Sequence, residues 1–128
     1  MAAKKRPGKP PSPLETSIQA DIRLALGCEP DFTLWRNNTG VAQHWSERQQ
    51  RLYRVRYGLL RGSADLIGIL GPAGLFCALE VKRQGKQPTE EQRMFLDLVR
   101  GRGGAACVVD SVESARSALA RFRAGERA

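Results

Sequence analysis

The chain has 128 residues, 41% hydrophobic and 27% charged, which suits one domain with a real core and excludes both a disordered polymer and two full domains. Lys and Arg outnumber Asp and Glu by 21 to 13, giving a net charge of +8; an excess of that size on a small domain points to a polyanionic partner. No apolar run reaches the length of a membrane span, none follows the basic N-terminus as a signal peptide requires, and Cys28, Cys77 and Cys107 lack zinc-ligand spacing. The expectation is a protein without a membrane partner, in a reducing, cytoplasmic compartment, with Cys77 and Cys107 as buried hydrophobes.

Residues 1–11 form a Lys/Pro tail, with Lys4, Lys5, Arg6 and Lys9, expected to be disordered in isolation. It either touches phosphate or is a solvated end. A single domain is expected over 12–128. Ser12 as N-cap, Pro13 at N1 and Glu15 at N3 announce a helix whose apolar stripe is Leu14, Ile18, Ile22, Ala25 and Leu26, with Gly27 ending it. Phe32 to Asn37 reads as a strand, and Asn38-Thr39-Gly40 as a turn.

Between Gln43 and Arg61 lie Arg48, Arg51, Arg54, Arg56 and Arg61, with Trp45, Tyr53 and Tyr57 among them. Arginine interleaved with aromatics suits phosphate contact and stacking on bases or sugars; a solvated hairpin or loop is the plainer reading. Arg54-Val55-Arg56-Tyr57 can be a strand with both arginines on one face. His44 stands alone, without metal-ligand neighbours.

Asp65 to Leu70 is an apolar run, Gly71-Pro72-Ala73-Gly74 is turn chemistry, and Leu75 to Val81 is a second apolar run. With those four residues as the loop, Leu70 faces Leu75, and counting back places Asp65 opposite Glu80. Alternation puts Phe76, Ala78, Glu80 and Lys82 on one face. Directly opposed antiparallel partners have Cβ atoms roughly 4.5–5.5 Å apart, and like charges there destabilise the pair. Two such carboxylates repel unless a proton or cation lies between them, and Mg²⁺ is a hard cation that takes oxygen ligands of this kind. Taken singly, each acid reads as a strand-end charge; the three residues together read as a site.

After Gly85 and Pro88 a helix is expected from about Thr89, with Thr89 and Gln92 in capping-box positions and Gln92, Phe95 and Val99 along one face. Gly101 to Gly104 ends it. Ala105 to Val109 is a small strand, parallel to its neighbour because a helix crosses over. Asp110 or Ser111 caps a last helix with Val112, Ala115, Leu119 and Phe122 inward and Arg116, Arg121 and Arg123 on the solvated side. The expected fold is α/β, in the order α-β-β-β-α-β-α, with a mixed central sheet flanked by helices on both faces.

Gly62-Ser63-Ala64-Asp65, a hairpin, and then Glu80-Val81-Lys82 resemble the active-site text of the PD-(D/E)XK nuclease superfamily. The match runs from Trp35-Arg36-Asn37 through Thr89-x-x-Gln92 to Gly103 and Gly104, and is nearest to the virus-type replication–repair nuclease (VRR-NUC) branch. No Pro precedes Asp65. The resemblance implies a restriction-endonuclease-like core and Mg²⁺-dependent hydrolysis of DNA phosphodiester bonds, with Mn²⁺ as the substitute ion and no organic cofactor. It implies metal ligation by Asp65, Glu80, the main-chain carbonyl of Val81 and Glu15, and catalysis by Asp65, Glu80, Lys82 and Gln92. Glu15 and Gln92 each have a complete explanation as helix caps as well. DNA contacts fall to Arg36, Arg48, Arg51, Arg54, Arg56, Arg61 and Ser63. Stand-alone relatives imply a homodimer acting on branched DNA such as four-way junctions, in a bacterial or phage-infected cell. A non-catalytic DNA-binding accessory, and a nuclease acting on RNA or on flap or unbranched DNA, remain the competing functions.

Overall fold

The computed structural model describes residues 13–128; the expected basic tail and the Ser12 cap lie outside the described residues. The element order is α1 (Pro13–Leu26), β1 (Phe32–Arg36), β2 (Gly40–Ser46), β3 (Arg51–Tyr57), β4 (Leu66–Leu70), β5 (Leu75–Val81), α2 (Glu90–Gly101), β6 (Ala105–Val109) and α3 (Val112–Arg123). The fold is mixed α/β. β1, β4, β5 and β6 lie side by side in that order, antiparallel except for the parallel pair β5–β6. The expected α-β-β-β-α-β-α order is this core. What it lacked is β2–β3, a separate two-stranded sheet inserted between β1 and β4.

The two faces of the main sheet differ in residue size, and that difference places the helices. Leu66, Leu70, Cys77, Leu79, Val81, Cys107 and Val109 point to one side, where α1 adds Ile22 and Leu26 and α3 adds Leu119 and Phe122. Opposite them, Ala64, Ala78 and Ala106 form a shallow layer that lets α2 approach closely with Phe95, Leu96 and Val99. Burying one side chain of this size stabilises by about 1.5–3 kcal/mol. β1 is locked to β4 through Gly68, where any Cβ would meet the Phe32 ring at 2.5 Å and the Thr33 carbonyl oxygen at 2.8 Å. Phe32 is buried for that reason.

Thr89 caps α2 with Gln92 returning its side chain, and Ser111, rather than Asp110, caps α3 with Ser114. Two expectations need correction. Leu14, in the first turn of α1, is exposed, and Gln19, one turn along, is buried instead. β1 stops at Arg36, and Asn37 pairs through its side chain (below). At the opposite end of the sheet, Arg123 does not merely face solvent. Its guanidinium binds Asp31 (2.6 and 2.9 Å) and Glu29 (2.8 Å), tying the α1–β1 loop to α3. Among the described residues no helix is long and apolar enough to cross a membrane.

Candidate active site

The β4–β5 register is the one the turn dictates: Leu70 pairs with Leu75 and Leu66 with Leu79. One residue beyond, Asp65 meets the end of β5, and its carboxylate Oδ2 accepts a hydrogen bond from the Val81 amide at 2.9 Å. The aspartate thereby supplies the next rung of the ladder through its side chain. Glu80 follows Ala78 on the α2-facing side of the central strand. Its other strand neighbour in the pairing is Val108 of β6, so the carboxyl is walled by apolar groups and is 1% exposed. Lys82 approaches it, with Nζ 3.8 Å from Oε1. The second oxygen, Oε2, is buried with no hydrogen-bond partner.

A buried carboxylate with an unmet oxygen beside another carboxylate is costly in its charged form. Burial, and then the neighbouring Asp65 charge, push the Glu80 carboxyl up to about 9, with Lys82 only partly opposing them. Burial also raises Asp65, against the lowering effect of the Val81 amide. The pair consequently shares one proton, resting on Glu80, unless a cation replaces it. That is the fit a hard divalent ion requires: two oxygen-bearing side chains in reach, one oxygen unmatched, and a proton that can leave. Glu15, in the first turn of α1, lies near enough for its charge to raise Asp65 further. Among the described residues, no three His, Cys, Asp or Glu side chains form a ready-made ligand set. An ion here would draw its remaining ligands from main-chain and water oxygens, among which the Val81 carbonyl is the expected one.

The segment leading into Asp65 is held from β1. Asn37 donates its side-chain amide to Ser63 Oγ (2.7 Å) and to the Ala64 carbonyl (2.9 Å), while its own backbone amide donates to the Asp65 carbonyl (2.8 Å). Gly62 has φ +82°, and a Cβ there would meet the Glu91 carbonyl oxygen at 2.8 Å, so the loop can lie against the start of α2 only with glycine. Ser63 is thus a partner of Asn37. Arg61 is exposed and paired with Glu91 at 3.1 Å. Arg36, at the end of β1 opposite Leu66, shares Leu66's face of the sheet, the side away from Glu80.

Sequence reasoning thus names a group the fold brings together: Asp65, Glu80, Val81 and Lys82, with Glu15 and Ser63 near them and Arg36 at the same end of the sheet on its other face. It also names residues that the fold puts elsewhere. The hydrogen bonds Gln92 makes are those of the α2 cap. Arg51, Arg54 and Arg56 lie on β3, and Arg48 in the turn before it, all on the separate ribbon. Two residues were missed. Asn37 positions the loop, and its signal was its place in Trp35-Arg36-Asn37. Gln19 is buried on α1 one turn after Glu15, and the spacing of four was the only sign of it. A cavity of about 800 Å³ opens around the Gly71–Gly74 turn, at the opposite end of the hairpin from the acidic pair. No family model matches this chain, and neither does any curated protein.

Proposed function

We propose that the chain is a Mg²⁺-dependent structure-specific DNA endonuclease that hydrolyses phosphodiester bonds at the Asp65–Glu80–Lys82 site, with four-way junctions among its substrates. The observation that carries this reading is the buried Glu80 carboxyl, one oxygen of which has no hydrogen-bond partner, beside Asp65 and Lys82 on a chain of net charge +8. Asp65 and Glu80 would hold the ion with the Val81 carbonyl, and Glu15 would add its negative charge from α1. A bound Mg²⁺ supplies charge neutralisation at the phosphate and a lowered pKa for the attacking water. Lys82 orients that water and offsets the charge that builds on the pentacoordinate phosphorus. Asn37 fixes the Ser63–Asp65 loop, so Asp65 is aimed before substrate arrives. The basic residues Arg36 and Arg61 contact the strand near the scissile phosphate. Mn²⁺ should replace Mg²⁺, and no organic cofactor is needed.

Resolving a four-way junction requires cuts in two strands, and one domain has one such site; a two-fold homodimer matches that symmetry. Exposed Leu60, Met94 and Leu98 border a groove of about 540 Å³ beside α2 that offers an apolar contact for it. The test is a substrate panel of four-way junction, splayed arm, flap, linear duplex and matched RNA, each with Mg²⁺ and with EDTA. Metal-dependent cleavage of the branched DNA supports the reading. Binding without cleavage in any metal would convert the chain to an accessory protein.

A further inference from the structure

We infer that the β2–β3 ribbon reads the major groove of B-form duplex DNA beside the cleavage site, with Gln43, Trp45, Arg54 and Arg56 toward the bases; this rests on the DNA-enzyme reading above. The register sets the faces. Val41 pairs with Arg56, Gln43 with Arg54 and Trp45 with Leu52, and directly opposed residues share a side. All six are exposed; the other side carries the half-buried Ala42 and Val55 at its middle, with His44, Arg51, Tyr53 and Tyr57 exposed around them. One face of the ribbon therefore presents two guanidinium groups, an amide and an indole to solvent, and no ion pair engages Arg54 or Arg56 among the described residues. The strands pair with each other and not with the main sheet. Isolated two-stranded ribbons are marginally stable in water, so this one gains from a surface to lie on.

Shape and chemistry select that surface. Seven-residue strands at roughly 3.4 Å per residue make an arm a little over 20 Å long, with strands about 4.8 Å apart. Such a ribbon enters a groove about 12 Å wide and not the minor groove, about 6 Å wide. The deep, narrow major groove of A-form RNA also excludes it. Within the groove, Arg and Gln offer the donor forks that guanine and adenine edges take, and Trp45 and Leu52 at the tip suit thymine methyl groups. Positive charge meets the phosphate walls on either side.

Methylation interference tests this with the full chain in EDTA, so that binding is read apart from cleavage. Duplexes carrying N7-methylguanine should bind at least about fivefold more weakly when the modified base lies in one short stretch on one side of the branch. Arg54→Gln, an exposed change that leaves folding intact, should abolish the interference at its own position. Binding indifferent to N7 methylation, displacement by a minor-groove ligand such as netropsin, or equal affinity for duplex RNA would each overturn the inference. So would cross-links from the ribbon to a second copy of the chain in place of DNA. Nicking of plasmid DNA without N7 interference keeps the nuclease and removes the groove reader; interference without nicking does the reverse.

Discussion

Replacing Glu80 by Gln should make the metal-free protein more stable, by an amount that grows with pH. Glu80 keeps its proton in the fold up to about pH 9, against an ordinary value of 4.5. Between those values the folded protein binds a proton that the unfolded chain has lost, so stability falls as pH rises through this window and levels off above it. Each pH unit corresponds to about 1.4 kcal/mol for one fully linked proton. At pH 7 the wild type therefore carries a cost of up to about 3 kcal/mol that a glutamine does not. The glutamine amide can also donate to Asp65. Urea unfolding in EDTA at pH 5, 7 and 8.5 measures this, with an unchanged m-value confirming that the same surface is exposed. The variant should match wild type at pH 5 and exceed it increasingly above. Mg²⁺ should narrow the gap by stabilising only wild type, by about 1.4 kcal/mol at ten times its Kd. Flat wild-type stability from pH 5 to 8.5, or a Glu80→Gln protein less stable throughout, would refute the buried acidic pair.

Four further outcomes follow from the same geometry. Lys82→Ala should leave calorimetric Mg²⁺ binding in place while kcat falls about 100-fold or more, because the lysine acts on the reacting groups and not on the ion. Asn37→Ala removes two hydrogen bonds to the loop and should cost about 1–3 kcal/mol in urea unfolding; kcat should fall while DNA affinity, read by fluorescence anisotropy, stays within a few-fold. Arg51→Gln, on the side of the ribbon away from the bases, should flatten the log–log salt dependence of duplex binding by roughly 0.9, the value for one phosphate no longer neutralised, whereas Arg54→Gln should weaken binding and relax base preference. Light scattering should show a dimer that Met94→Glu or Leu98→Glu dissociates; a monomer that stays monomeric on junction DNA would contradict the assembly.

Much of the site can be read from the residues because a four-residue turn fixes the hairpin register, and alternation then fixes the face of every residue back to Asp65 and Glu80. The burial of Glu80 cannot be read that way. It depends on α2 coming close over Ala64, Ala78 and Ala106, which lie far apart in sequence. The ribbon was legible in part: residues 54–57 read as a strand with both arginines on one face, as they are in β3, but its partner strand did not stand out because the turn, Glu47-Arg48-Gln49-Gln50, carries none of the Gly, Asn or Asp that announces a hairpin. Gln50 takes φ +50° in their place, and the turn closes through Gln50 Nε2 to the Glu47 carbonyl (2.7 Å) and the Gln49 amide to Ser46 Oγ (3.1 Å). Leu14 shows the limit of periodicity: its spacing is that of the core stripe, but the core of α1 begins only at Ile18 and Leu14 is exposed. Asn37 shows the converse, a polar residue past the end of a strand whose partners come from loop residues 63 and 64.

The central claim is that Asp65 and Glu80 jointly hold a divalent ion that hydrolysis requires. Plasmid nicking against Mg²⁺ concentration, for wild type beside Glu80→Gln, tests it most directly. The account predicts cleavage by wild type that saturates with Mg²⁺ and vanishes in EDTA, and none by the folded, DNA-binding variant at any Mg²⁺ concentration. Full activity in Glu80→Gln would contradict it.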